Sequence, residues 1–395
     1  MNAVQLLADW APREGYRVTE DELRSQKARM ASQVWRRPRL ESITLPDPTP
    51  GPGEVVVAVR VCGVCGSDTH CLETDAEGYV RFSGPARFPC VLGHEYAGEV
   101  VAVGPGVRAL SRGDLVTAEG MLYCGVCEAC RKGLFNQCIR LDMVGFSSPG
   151  AYADLITVHE KHCWTINPLA ERVGSAEVAC ELASLVEPVG CAFNGMFIAA
   201  GGMLPGSHVV VFGCGPIGLG AIALARAAGA ATIQAWDYSN PRLAVARQLG
   251  ADEAIDLGAL LAGGGDPAEE LRRISAGWGA DMVVEAAGAA TQTLPWIERG
   301  LAPAGKVVYL GRTGERAPVM LDVLVSLASC IVGARGHAGG GVFPHILRLL
   351  AHDRLPIREM VSCRLPLSRA ASAVERSRDR QDAKILLVAK GGSTT

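Results

Sequence analysis

A glycine turn, Gly213-Cys214-Gly215-Pro216-Ile217-Gly218, joins the apolar run SHVVVFG (207–213) directly to an Ala-rich helical pattern at 216–229. A second strand-like run, TIQAWD (232–237), ends on Asp237, 19 residues beyond Gly218. Strand, G-x-G-x-x-G, helix and strand-terminal acid together restrict this part of the chain to a doubly wound parallel α/β sheet. Glycines at these positions let the backbone turn tightly and approach a pyrophosphate. The helix N-terminus near Pro216 offers N–H groups without helical partners and a positive dipole end. Asp237 can accept hydrogen bonds from ribose hydroxyls. A glycine turn alone is common, and its context carries the reading. Further strand candidates are DEAID (252–256), DMVVEAAG (281–288), KVVYLG (306–311) and SCIVGA (329–334), most of them separated by helical stretches.

The first half has another texture. EVVVAVRVCGV (54–64), AGEVVAVGPGV (97–107) and DLVTAEG (114–120) are short β-runs between Gly/Pro turns, which predicts a β-rich domain. The N-terminal run alternates apolar and polar residues as a strand does. Residues 12–36 are charged and helix-like, and look like an insertion. At 395 residues with 47 glycines, two domains are expected. The first is placed at 1–192 with 338–395, the second at 193–337. The tail supplies a helix (344–352) and a returning strand, KILLVA (384–389).

Fourteen cysteines are many, and ten precede position 181. Cys124, Cys127, Cys130 and Cys138 form C-x2-C-x2-C-x7-C. Four thiolates at that spacing can enclose one tetrahedral Zn2+ with no open position, a structural site. A second set is dispersed: Cys65, His94 with Glu95, and Glu187 in Leu185-Val186-Glu187-Pro188. A thiolate, an imidazole and a carboxylate would leave one zinc position open. Spacing does not decide between Glu95 and Glu187. The remaining cysteines, Cys330 among them, read as packing residues.

The formal net charge of −3 gives no broad pull toward nucleic acid or anionic membrane. No uncharged apolar window is long enough for a membrane span, and the N-terminus lacks a signal-peptide pattern. A cytoplasmic location is expected, with neither nucleic acid nor membrane as partner.

The ordered set C-G-S-D-x-H (65–70), G-H-E-x-x-G-x-V (93–100), the four-cysteine lobe and the glycine turn resembles the zinc-containing medium-chain dehydrogenases. That resemblance implies a GroES-like catalytic domain and a Rossmann domain. It also implies two zinc ions, NAD, and interconversion of a secondary hydroxyl and a ketone by a homo-oligomer of two or four chains. It suggests Cys65 and His94 as catalytic-zinc ligands with Glu95 or Glu187. Asp68 would orient His94, Ser67 would take the substrate proton, and His70 would lie further out. Gly213, Gly215, Pro216, Ile217, Gly218, Asp237 and Arg242 would hold the adenosine and phosphate side. Leu310, Gly311, Arg312 and Arg335 would approach the nicotinamide.

QVWRRP (33–38), the segment 73–95 and GARGHAGGGVFP (333–344) look like the scyllo-inosose dehydrogenase branch. The expected substrate is therefore a cyclitol, an inosose or related aminocyclitol, or a sugar polyol, with His337 as a candidate contact. The sorbitol branch places Tyr after the His of its first motif, where this chain has Cys71. Alternatives are a sorbitol- or threonine-type dehydrogenase, a non-catalytic nucleotide-binding protein, and a zinc-ribbon nucleic-acid binder. The intact ligand set opposes the second, and the near-neutral charge the third.

Overall fold

The computed structural model describes residues 1–389. They form two compact units. One is Met1–Glu187 with Cys363–Arg380 and the chain from Ile385. The other is Pro188–Ser362 with Gln381–Lys384. The stretch 338–362, placed with the first domain on sequence, groups with the second unit.

In the first unit the valine-rich strand Glu54–Gly63 is the centre of a seven-stranded sheet. It pairs antiparallel with Glu95–Val103, Leu155–His159 and Lys384–Val388. Val55, Val56, Val57, Val59 and Val61 are all buried. Neighbours on both edges and cover on both faces explain a nearly continuous apolar run where alternation would mark a half-exposed strand. A smaller sheet pairs Asn2–Trp10 with Trp35–Thr44 and Cys90–Val91.

The segment 12–36 is not the helix its charge pattern suggests. Only Glu20–Ser25 is α-helical, started by a capping box between Thr19 and Glu22. Pro12 and Gly15 (φ 80°) break the chain before it. Beyond it comes only a 3-10 turn, Ala31–Gln33, and the backbone of Ala28, Ala31 and Trp35 bonds to residues 80–86. Cys330, expected to pack, is exposed.

In the second unit six strands lie parallel. Their order is Glu253–Asp256, Thr232–Asp237, His208–Phe212, Ala280–Glu285, Leu301–Tyr309, Cys330–Gly333. Register aligns Phe212 with Trp236 and Glu285, Glu285 with Tyr309, and Tyr309 with Gly333. The carboxyl ends therefore share one edge, and the loops after them carry the candidate nucleotide residues. The helical run Ala176–Ala199 has the length and apolarity of a membrane span. It also carries Glu177, Glu181 and Glu187, and 61% of its apolar window is buried.

Candidate active site

Strand Glu54–Gly63 delivers the chain to Cys65, which opens the helix Gly66–Leu72. Within that turn the Cys65 amide donates to Asp68 Oδ2 at 3.0 Å. The Tyr152 hydroxyl donates to the same oxygen at 2.7 Å. Asp68 is thereby held with Oδ1 3.5 Å from His94 Nδ1. The other ring nitrogen, Nε2, lies 3.4 Å from Ser67 Oγ. Ligand atoms of Cys65, His94 and Glu95 lie within 4.8 Å of one another. Glu187, half-buried at the start of helix Val186–Phe193, is not in that group. His70 sits on the same helix as Ser67, and its carbonyl accepts the amides of Arg81 and Phe82.

Asp68 and Glu95 are fully buried and His94 is 6% exposed. Burial alone would lower the His94 pKa, but the Asp68 carboxylate and the Cys65 sulfur outweigh it and push it well up. The pocket thus concentrates negative charge away from water, which is costly unless a cation shares it. One sulfur, one nitrogen and one oxygen fit a zinc ion with an open fourth position. Ligands around tetrahedral zinc sit about 3.3–3.8 Å apart, so closure by at most about 1.5 Å suffices. Tyr152, 84 residues from Asp68 in sequence, and Phe146, whose ring lies 4.9 Å from that of His94, were missed on sequence. No spacing rule points to either.

The four lobe cysteines also converge. Sulfur separations are 3.5 Å for Cys127–Cys130, 3.8 Å for Cys127–Cys138 and 3.5 Å for Cys124–Cys138. A tetrahedron with zinc–sulfur arms of about 2.3 Å has edges of about 3.8 Å. Amides of Cys124 and Arg140 donate to Cys138 Sγ, and those of Val126 and Cys127 pull the Cys124 pKa down to about 6. The amides of Cys130 and Ile139 pull Cys127 down as well, whereas burial pushes Cys130 up to about 12.

In the second unit, Gly213 has φ 90°, and a Cβ there would lie 2.8 Å from the Ala287 nitrogen. A Cβ on Gly218 would sit 1.8 Å from the Gly213 carbonyl oxygen. At Gly215 nothing lies within 4 Å of that position, so the missing side chain leaves an open cradle. The helix Pro216–Ala227 begins there without a side-chain cap, and Ile217 is in its first turn. Asp237 accepts from the Cys214 amide at 2.6 Å and the Ser239 amide at 2.8 Å. A carboxylate has about four acceptor positions, which leaves room for ribose hydroxyls. These features fit a dinucleotide pyrophosphate and ribose.

Arg242 Nε donates to the Asp382 carbonyl, tying it to the segment Gln381–Lys384. Lys384, fully buried there, was not singled out on sequence. Amides of Leu310 and Gly311 both donate to the Glu285 carbonyl. Arg312 lies close enough to Arg335 that its charge, after burial, depresses the Arg335 pKa. His337 is 1% exposed, packed on Phe343 and beside Gly190. That is also the packing of a core histidine.

Residues 51–168 match the model of the alcohol dehydrogenase GroES-like domain, and residues 216–352 that of the zinc-binding dehydrogenase. The chain is 35% identical over 369 residues to scyllo-inosose 3-dehydrogenase of Thermotoga maritima, covering 89% of this chain and 90% of that one. It is 34% identical over 351 residues to L-threonine 3-dehydrogenase of Symbiobacterium thermophilum, covering 87% and 93%. A solved structure from Thermotoga maritima, described as an alcohol dehydrogenase, superposes with a TM-score of 0.92 at 32% identity, over 98% of this chain and 99% of that one. A match that runs in order through both units makes the chain a member of the zinc-binding alcohol dehydrogenase family, an oxidoreductase of the NAD-dependent alcohol dehydrogenase type.

Proposed function

We propose that the chain interconverts a secondary hydroxyl and a ketone on a cyclitol, either an inosose or a related aminocyclitol, or on a sugar polyol. The observation that carries this is the sulfur, nitrogen and oxygen group of Cys65, His94 and Glu95. When bound there, zinc would supply Lewis acidity and NAD a hydride acceptor. Asp68 keeps a proton on His94 Nδ1 and so leaves Nε2 free to coordinate. Ser67 Oγ takes the substrate proton, and His70 passes it outward. Glu95 is the carboxylate ligand in this reading, and Glu187 serves the substrate or its water.

A site completed by carboxylate suits a substrate with several hydroxyls. Each of those needs a partner, since a buried unpaired polar group costs about 1–3 kcal/mol. The segments 73–95 and 333–344 and the relative named scyllo-inosose 3-dehydrogenase support the ring substrate. Several relatives named L-threonine 3-dehydrogenase favour threonine as the second reading. Catalytic efficiency on inososes, inositols, sorbitol, threonine and simple alcohols should rank a cyclitol first. A tenfold preference for threonine or a simple alcohol would overturn the cyclitol reading.

NAD should be preferred over NADP. Asp237 is held rigidly beside the glycine turn by two amides. Like charges at ~4 Å repel by about 4 kcal/mol at an effective dielectric constant near 20. Asp237→Ala should narrow the preference, and equal efficiency with both cofactors in the unaltered protein would reject the assignment. Self-association is part of the same proposal. Cys330–Gly333 is an edge strand, and Leu321 and Val325 on the preceding helix are 70% and 78% exposed.

A further inference from the structure

We propose that the segment 12–36 is a brace for substrate selection. It acts through Tyr79 on the long loop between Cys65 and His94, and the proposal rests on the reading that Cys65, His94 and Glu95 form the reaction centre. The segment runs alongside that loop. Ala28 and Ala86 exchange backbone hydrogen bonds of 2.9 and 3.0 Å. Ala31 donates to Gly84, Val80 to Trp35 and Arg37 to Gly78, each at 3.0 Å. The Trp35 indole donates to the Ala86 carbonyl at 3.1 Å.

At its tip the loop turns at 75–79, where the Asp75 carboxylate accepts the amides of Glu77 and Tyr79. Arg13 pairs with Asp75 and with Glu77. The Tyr79 ring is 6% exposed, with the Arg13 guanidinium 3.9 Å and that of Arg36 4.8 Å from its centre. Two cations of the inserted segment thus grip one ring of the loop.

The same loop reaches the reaction centre three residues later. Arg81 and Phe82 amides cap the His70 carbonyl on the helix that carries Ser67 and Asp68. Phe82 stacks on Phe146 at 4.4 Å and 12°, and Phe146 leans on His94 at 4.9 Å. Arg13 and Arg36 meet the Tyr79 ring, the backbone runs from Tyr79 to Phe82, and the Phe82 ring meets that of His94 through Phe146. Tyr79 and Arg13 are positioning residues. They hold the Phe82 and Phe146 rings that pack beside His94, so that a rigid, bulky substrate meets a preformed centre and does not have to order it.

The test uses whichever secondary alcohol the unaltered enzyme turns over best, so it does not depend on the cyclitol being right. Tyr79→Leu should raise KM for that alcohol about tenfold, with kcat, KM for NAD and zinc content within about twofold. Tyr79→Phe keeps the ring and should behave as the unaltered enzyme. Arg13→Gln should reproduce the KM shift without touching the apolar packing. An unchanged KM in both Tyr79→Leu and Arg13→Gln overturns the brace, as does a loss of melting temperature with no KM split. The reaction centre is checked separately: Cys65→Ser with full zinc and full turnover would remove that reading and leave the measured KM shift to be judged by itself.

Discussion

Replacing Ser67 by alanine should lower turnover by roughly 10²–10⁴, the usual range for a positioned proton transfer. Its hydroxyl oxygen lies 3.4 Å from His94 Nε2, beside the zinc-type ligand group but outside it. Metal content and KM for NAD should therefore stay as they are. Ser67→Thr retains a hydroxyl and should recover much of the rate. The residual activity of the alanine variant should rise with pH, as solvent hydroxide substitutes for the missing acceptor. Near-normal turnover at neutral pH would mean that the proton leaves by another route.

Loss of the four-thiolate ion should have the largest structural effect. The sulfurs of Cys124, Cys127, Cys130 and Cys138 already stand at the separations of a zinc tetrahedron. The lobe buries few large apolar side chains between its cysteines, and Val126 and Ile139 are 66% and 80% exposed. Metal affinity in such a site is folding free energy, on the order of 10 kcal/mol. Cys127→Ser should reduce zinc from two per chain to one and open residues 120–140 to protease. A chelator should strip the Cys65 ion first, since fewer protein ligands hold it. Fully active protein with no more than one zinc per chain would sink the two-site reading.

The parallel sheet of the second unit was largely legible in the sequence, although its stretch 338–362 was assigned to the other domain. Its central strands are buried on both faces and so appear as short apolar runs, and the observed spans His208–Phe212 and Thr232–Asp237 fall inside those expected. The cysteine lobe was legible because all its ligands come from one short stretch. The other zinc-type group was legible only through resemblance. Spacing cannot say that Glu95, adjacent to His94, joins the group while Glu187 does not. Segment 12–36 was misread because charge periodicity is local, whereas its partners at 78–86 lie about fifty residues away. The Tyr152–Asp68 bond is hidden for the same reason, and the exposure of Cys330 follows from its place on an edge strand.

The pairing of Glu54–Gly63 with Lys384–Val388 sets an order for biosynthesis. Val61 faces Val388, and Gly63 faces Leu386, across more than three hundred intervening residues. The six strands of the parallel sheet, by contrast, are all supplied by residues 208–333. As the chain leaves the ribosome, the parallel sheet has all its strands in hand while the end of the valine-rich strand at Val61–Gly63, beyond its pairing with Leu155–His159, still lacks a neighbour on that edge. That open, apolar edge is an aggregation hazard for as long as synthesis continues. Nascent chains arrested before residue 384 should therefore be the ones that chaperones hold, and release should coincide with emergence of the last strand.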